Sequence, residues 1–293
     1  MKIESTVNAV RNQVKEWRKS GLTVGFVPTM GYLHEGHASL IQAARENNDK
    51  VVVSIFVNPM QFGPTEDLAS YPRDLEKDSA LCASLGADLI FHPEPEEMYH
   101  EGFSSYVDMD VLTQELCGLS RPVHFRGVCT VVCKLFHIVA PDRAYFGQKD
   151  AQQLAVIRHM ADDLNMDIEI VGCPIVREED GLAKSSRNTY LSEDERRAAL
   201  ILSKSIFLGK ELVEKGETST EKIVDAMKER IASEPLARID YVKAVDGRTM
   251  QQIQTVQKPM LVAIAVYIGS TRLTILSGNK FCGLFKIMVY KEL

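Results

Sequence analysis

The regular alternation of short apolar runs with helix-forming segments over residues 1–176 limits the possible folds more than any other feature of this chain. Runs of β-branched residues such as VVVSIFVN are typical of strands that are covered on both faces of a sheet. Strands that alternate with helices imply βαβ units, and hence a mostly parallel sheet with right-handed crossovers. The predicted strands are LTVGFVPT at 22–29, VVVSIFVN at 51–58, ADLIFHP at 87–93, RAYFGQ at 143–148 and MDIEIVGCPIV at 166–176.

The pattern changes after about residue 176, where two helices are followed by three strands with short connections. Ser192 and Glu195 form the sequence signature of a capping box, which predicts that a long helix begins there. A run of helices followed by strands is typical of a separate α+β domain. We therefore predict an α/β fold, with a Rossmann-like, mostly parallel sheet domain over 1–175 and a smaller α+β lid domain over 176–293.

Composition narrows the class of protein. The net charge is −6 and the pI is near 5.7, which disfavours a general nucleic-acid-binding protein. Charges interrupt every long apolar run and the N-terminus lacks a signal-peptide core, so we expect a soluble, cytoplasmic protein without a membrane partner. None of the six cysteines forms a C-x-x-C pair, which favours reduced, buried thiols over a metal site or disulfides.

The stretch PTMGYLHEGH follows the first predicted strand and resembles a phosphate-binding P-loop in its glycine spacing. His37 and Ala38 occupy the positions of the P-loop lysine and hydroxyl residue, and the spacing in HEGH does not fit a zinc protease. Two imidazoles at a helix start could donate hydrogen bonds to a phosphate that gains charge in a transition state. Alternatively, one histidine caps the helix and the other is solvated.

Three further loops carry polar side chains suited to binding. KSSRN at 184–188 offers charge-assisted donors for phosphates, FGQKD at 146–150 follows a predicted strand, and Asn58 and Gln61 follow another. Neutral amides could orient a hydroxyl or a carboxylate. Each of these loops could also be ordinary solvated surface or turn chemistry.

Taken together, HEGH and the lysine–serine loop resemble the HIGH and KMSKS motifs of the nucleotidyltransferase superfamily. Within it, five segments resemble the pantothenate synthetase (pantoate–β-alanine ligase) family, and the resemblance extends from about residue 3 to about residue 273. The segments are PTMGYLHEGH, SIFVNPMQFGPTEDLASYPRDLEKD, RPVHFRGVCTVVCKLF, FGQKDAQQ and KSSRNTYLS.

The resemblance implies an ATP-dependent ligase that acts in pantothenate biosynthesis. The carboxylate of D-pantoate would attack the α-phosphate of ATP to give pantoyl adenylate and pyrophosphate. The amine of β-alanine would then release AMP and form pantothenate. The family also implies Mg²⁺ with ATP and a homodimer formed through the first domain.

The resemblance also assigns roles to individual residues. His34, His37, Lys149 and Arg187 would be catalytic, with His37 a transition-state stabiliser because a carboxylate nucleophile has no proton to lose. Pantoate and β-alanine would be held by Gln61, Gln153 and Asn58, and Asp78 could bind the metal. The ATP-binding residues would be Met30, Gly31, His34, His37, Gly147, Lys149, Asp150, Val176, Lys184, Ser185, Ser186 and Arg187.

The sequence does not exclude other classes of protein. Another adenylyl- or cytidylyltransferase would share HEGH, although neutral amides at 58 and 61 disfavour a phosphate substrate. A tRNA synthetase is disfavoured because no basic RNA-binding domain is present. A nucleotide-binding scaffold without catalysis would release no AMP. The apolar and basic tail at 274–293 is atypical of the family and lies outside every site motif.

Overall fold

The computed structural model describes residues 1–64 and 66–279, so residues 280–293 of the atypical tail, with Cys282, lie outside the described residues. The chain divides into two compact units. The first consists of Met1–Thr113, Gly118–Gly147 and Gln153–Cys173, and the second of Gln114–Cys117, Gln148–Gln152 and the described chain from Pro174 onward.

The first unit contains a six-stranded sheet in which every pairing is parallel, which confirms the predicted α/β class. The spatial order is β1-β4-β3-β2-β5-β6. Strands β2 and β3 are almost fully buried, as their continuous apolar sequences require. The strands are β1 (Lys2–Glu4), β2 (Val24–Thr29), β3 (Lys50–Ile55), β4 (Leu89–Phe91), β5 (Arg143–Gly147) and β6 (Glu169–Cys173).

Strand β1 is absent from the sequence-based prediction, which has five strands in this sheet. It is three residues long, pairs with β4 alone among the described strands and is exposed at Lys2 and Ile3. An edge strand of this length offers too few residues for a periodic pattern, so its pairing depends on the neighbouring strand and not on its own sequence.

Seven α-helices begin in the described part of the chain before residue 174. Helix α2 begins at Glu35, because His34 acts as its N-cap. Helix α6 ends at Val139, where Ala140 adopts a left-handed conformation with φ of 45°. The helices are α1 (Val7–Lys19), α2 (Glu35–Asn47), α3 (Leu75–Ser84), α4 (Pro95–Met98), α5 (Cys117–Ser120), α6 (His124–Val139) and α7 (Ala151–Asp163).

The second unit contains helices α8 (Glu193–Glu214) and α9 (Thr220–Ala232) and an antiparallel sheet of β7 (Ala237–Asp246), β8 (Met260–Ile268) and β9 (Thr271–Asn279). The capping box is present, since Ser192 Oγ accepts from Glu195 N and the Glu195 carboxylate accepts from Ser192 N. Buried side chains of both helices and the sheet form one core, which includes Leu202, Met227 and Ile264. This arrangement confirms the small α+β fold.

The order of the parallel strands places a topological switch beside β2. The chain continues from β2 to β3 and β4 on one side, and β5 pairs with the other side of β2. Ligands of open α/β sheets bind at the carboxyl ends of the strands at such a point. The loop that follows β2 is therefore the first place to look for a site.

Two further sequence-based expectations concern membrane-spanning segments and the state of the cysteines. Among the described residues, no helix is long and apolar enough to cross a membrane. The five described cysteines all carry free thiols, with Cys82, Cys129 and Cys173 buried. Burial raises the pKa of Cys82 and of Cys129 to about 12. These thiols are therefore neutral packing groups.

Candidate active site

The loop after β2 turns sharply before helix α2. Gly31 and Tyr32 have φ angles of 83° and 51°, so two consecutive residues adopt the left-handed region. Thr29 supports the turn, since its hydroxyl accepts from Gly31 N at 3.1 Å and donates to the Ser54 carbonyl at 2.7 Å. Glycine suits position 31 because a side chain there would be strained and its Cβ would lie 3.0 Å from Asp78 Oδ2.

A buried carboxylate from helix α3 fixes this loop. Asp78 Oδ2 accepts from Tyr32 N at 2.7 Å, and Oδ1 accepts from Leu33 N at 2.6 Å. Asp78 is only 1% exposed, and this burial raises the pKa of its carboxyl group although the two backbone hydrogen bonds act to lower it. The sequence alone suggested no such anchoring role for Asp78.

Both histidines of HEGH take part in a reciprocal cap at the start of α2. His34 Nδ1 accepts from Gly36 N at 3.1 Å, and His37 Nδ1 accepts from His34 N at 3.3 Å. The ring centroids lie 4.2 Å apart, with an angle of 38° between the planes. The alternative in which one histidine caps the helix and the other is only solvated therefore describes His34 but not His37.

The cap also fixes the tautomer of each neutral ring. A ring nitrogen that accepts a backbone N–H carries no proton, so the proton of each neutral imidazole is on Nε2. Each ring is then a neutral Nε2–H donor at the N-terminus of a helix, where the backbone dipole favours anions. This arrangement can bind phosphate oxygens without a fixed cation.

Asn58 and Gln61 lie in the loop after β3, and both side chains are buried, with exposures of 1% and 7%. Asn58 caps a short 3-10 helix, Pro59–Gln61. The loop meets the loop after β2 where Gln61 Nε2 donates to Met30 Sδ at 2.9 Å. The structure therefore brings these predicted binding residues together within the first unit.

Residues just before and within helix α6 hold the backbone of this second loop. The Gln61 carbonyl lies 3.0 Å from His124 Nδ1 and accepts from Arg121 Nη2 at 3.4 Å. Arg121 also forms a two-point ion pair with Glu66. Burial acts to raise the pKa of Glu66, but the hydrogen bond and charge of Arg121 outweigh it and lower that pKa. Reasoning from single residues missed these supports, although the RPVHFRG segment contains them.

The remaining first-unit candidates lie at β5 and α7. Gly147 ends β5 opposite Cys173, and a Cβ at Gly147 would contact nothing within 4 Å. Gln153 is half-buried in the first turn of α7. Gly147 is thus at the carboxyl end of β5, a strand adjacent to β2, and Gln153 follows that end.

In the second unit, Lys149 and Asp150 form a short 3-10 helix with Gln148, and Lys149 Nζ lies 3.3 Å from Asp150 Oδ1. The side chain of Gln152 holds the neighbouring segment, since it accepts from Cys117 N at 3.0 Å and donates to the Glu115 carbonyl at 2.8 Å. The chain directly after FGQKD is thus tied to residues 115–117, which are distant in sequence.

Val176 and the KSSRN segment are neighbours within the second unit. The Val176 carbonyl accepts from Lys184 N at 3.0 Å, and Ser185 Oγ accepts from Arg187 N at 3.3 Å. Glu178 holds the segment in place, because it accepts from Asn188 Nδ2 at 2.9 Å and from Arg196 Nη2 at 2.8 Å. Lys184, Ser185, Ser186 and Arg187 are all half-buried.

The described residues do not form a protein cage for a metal ion. No group of three or more His, Cys, Asp or Glu side chains with ligating geometry occurs among them. Asp78 does not suit a magnesium ligand, because it is buried and both of its oxygens already accept backbone N–H groups. Its carboxylate binds the backbone of the loop after β2 and not a metal ion.

Comparison with known proteins shows the family of the chain. A family model described as pantoate-beta-alanine ligase matches residues 2–274. Pantothenate synthetase of Ruminiclostridium cellulolyticum is 69% identical over 273 residues, which cover 93% of this chain and 97% of that protein. Pantothenate synthetase of Enterococcus faecalis is 62% identical over the same shares of the two chains.

Solved structures show the same likeness. The crystal structure of pantothenate synthetase from Thermus thermophilus has a TM-score of 0.88 at 44% identity, and covers 94% of this chain and 98% of that one. Pantoate-beta-alanine ligase from Francisella tularensis, crystallised with beta-gamma ATP and beta-alanine, has a TM-score of 0.77 at 32% identity, covering 94% of this chain and 97% of its own. The chain therefore belongs to the pantoate–β-alanine ligase family, whose members form an amide bond.

Proposed function

We propose that this ligase condenses D-pantoate with β-alanine in two ATP-dependent steps. Pantoate carboxylate attacks the α-phosphate of ATP, which gives pantoyl adenylate and pyrophosphate. The β-alanine amine then attacks the acyl carbon and displaces AMP. The ligand names in the Francisella tularensis structure support ATP and β-alanine as reactants.

The observation that carries this proposal is the reciprocal histidine cap at the carboxyl end of β2. Two neutral Nε2–H donors beside a helix N-terminus match a phosphorus centre that gains negative charge while a carboxylate attacks it. His34 and His37 are therefore assigned to the α-phosphate as transition-state stabilisers, and neither is required to remove a proton.

The two buried amides after β3 are assigned to pantoate. Gln61 and Gln153 would bind the hydroxyl and carboxylate oxygens of pantoate. Gln61 would also border β-alanine, and Asn58 would support Gln61. Buried amides orient a neutral hydroxyl without a charge of their own. Positioning of this kind replaces much of the entropy cost of bringing the reactants together.

Residues of the second unit are assigned to the nucleotide on the family resemblance. Lys149 would bind phosphate, Asp150 the ribose and Val176 the adenine through its backbone, while Gly147 from the first unit would border ATP. The phosphates would also meet the KSSRN segment through Lys184, Ser185, Ser186 and Arg187. The proposal includes a binding domain over 1–175 and a lid domain over 176–293, although residues 114–117 and 148–152 belong to the second compact unit.

A requirement for Mg²⁺, a homodimer and a cytoplasmic location are further predictions that rest on the family resemblance. Sedimentation velocity at several protein concentrations would test the homodimer.

The experiment is nucleotide product analysis with ATP, Mg²⁺ and D-pantoate, with and without β-alanine. We expect AMP and pyrophosphate to accumulate beyond one equivalent per enzyme only when β-alanine is present. A control without pantoate should release no AMP. Formation of ADP, or no nucleotide product, would reject adenylation. Transfer of the nucleotide to a phosphate substrate would favour a nucleotidyltransferase instead.

A further inference from the structure

Tyr99 lies directly after helix α4, and its hydroxyl donates to Asn58 Oδ1 at 2.7 Å. The ring is held from two sides, with centroids 6.3 Å from that of Phe56 and 5.1 Å from that of Phe103. The Lys134 ammonium group lies 5.6 Å from the Tyr99 ring centroid. Contacts with these two rings and with Lys134 therefore hold the ring with its hydroxyl toward Asn58.

The Asn58 amide uses all four of its hydrogen-bonding positions. Oδ1 accepts from Tyr99 and from Met60 N at 3.3 Å, while Nδ2 donates to the Gly127 carbonyl and to Gln61 Oε1, each at 3.1 Å. A backbone N–H can only donate and a backbone carbonyl can only accept. The orientation of this buried amide is therefore fixed at both ends.

This fixed orientation determines the orientation of Gln61. Because Asn58 presents an N–H group, Gln61 turns its oxygen toward Asn58 and its Nε2 toward Met30 Sδ, 2.9 Å away. A thioether is a weak acceptor, so a substrate oxygen would be a stronger partner for that N–H group. Gln61 thus offers a donor, and not an acceptor, to an anionic substrate.

We propose that Tyr99 is a positioning residue for the carboxylate- and hydroxyl-bearing substrate. Its hydroxyl holds the Asn58 amide in the orientation that the Met60 N–H group and the Gly127 carbonyl also require, and so helps Gln61 to present N–H donors to substrate oxygens. This inference rests on the proposed role of Gln61 in binding pantoate. Tyr99 itself contacts Asn58 and does not need to touch the substrate.

The test is Tyr99→Phe, which removes the hydroxyl and keeps the ring. Tyr145→Phe is a matched control, because the Tyr145 hydroxyl also bonds an asparagine, Asn48, at 2.8 Å within the first unit. Titration calorimetry measures the dissociation constant of D-pantoate for both variants. The KM for ATP and the melting temperature of both variants are measured separately.

We expect Tyr99→Phe to weaken pantoate binding by about threefold to tenfold, the usual effect of one hydrogen bond. Neither hydroxyl bonds a residue assigned to the nucleotide. The KM for ATP should therefore change by less than about twofold in either variant, which is less than the effect of losing one hydrogen bond. Equal pantoate affinities in the two variants would overturn the role of Tyr99. A wild-type protein that binds no D-pantoate would overturn the proposed function as well.

A double-mutant cycle separates positioning from a general loss of packing. In a Gln61→Ala background the Tyr99→Phe effect on pantoate affinity should disappear, because the two changes act through one chain of hydrogen bonds. Additive effects of the two substitutions would show that Tyr99 acts independently of Gln61, and would overturn the proposal even if Tyr99→Phe alone weakens binding.

Discussion

Replacing Asp78 by Asn should loosen the loop that carries the histidine pair. The carboxylate accepts backbone N–H groups from Tyr32 and Leu33 with its two oxygens. An asparagine amide has one oxygen, so one of those N–H groups would face an NH₂ group and lose its partner. The substitution is almost isosteric, and hence changes hydrogen bonding more than packing.

The expected size of the effect follows from these two bonds. A hydrogen bond to a charged acceptor contributes about 1.5–3 kcal/mol, and removal of a buried charge offsets part of the loss of one such bond. A net cost of about 2 kcal/mol in closing the loop corresponds to a change of about 30-fold in its closed population. If only the closed loop binds ATP, the apparent affinity for ATP should fall by up to that factor.

The assay is the KM for ATP in the adenylation reaction, with Asp74→Asn as the control. Asp74 caps the same helix by accepting from Lys77 N, and asparagine caps helices equally well, so the control removes a nearby charge and leaves the loop anchored. If Asp78 anchors the loop, Asp78→Asn should raise the KM for ATP at every Mg²⁺ concentration. An effect that saturating Mg²⁺ abolishes, or a wild-type KM, would refute the anchoring role.

Two further predictions concern the histidine pair and the KSSRN segment. His37→Ala should slow adenylate formation far more than it weakens pantoate binding, as measured by single-turnover kinetics and calorimetry. The control His37→Gln should keep the helix cap, because glutamine also suits this position. Equal losses of rate and of binding in His37→Ala would contradict the role. ATP should protect residues 177–190 from limited proteolysis if that segment closes over the nucleotide, and an unchanged cleavage rate at saturating ATP would argue against a lid.

The sequence predicts those parts of the fold whose pattern is local. Strands β2 and β3 are found because their residues are apolar on both faces. The start of α8 is found because Ser192 and Glu195 satisfy each other's backbone N–H groups within one turn. Strand β1 is missed because its three residues pair with a strand more than eighty positions later.

In the site, the sequence likewise identifies the residues that could do chemistry but not the residues that hold them in place. Gln61 and His37 are recognisable because amides and imidazoles follow buried strands. The supporting roles of Asp78 and Tyr99 are not recognisable, since each acts through a contact with a loop 41 to 46 residues away in sequence. A sequence shows which groups can do chemistry, but only the folded chain shows which groups hold them in place.

The missing P-loop lysine is consistent with this division of roles. In the proposed reaction Lys149, Lys184 and Arg187 would supply the cations for the phosphates, so the histidine pair does not need to carry a fixed charge. Neutral imidazole donors bond more strongly as charge accumulates on the phosphate, so they favour the transition state. Their orientation must then come from elsewhere, and here it comes from the helix cap and from the buried Asp78 carboxylate.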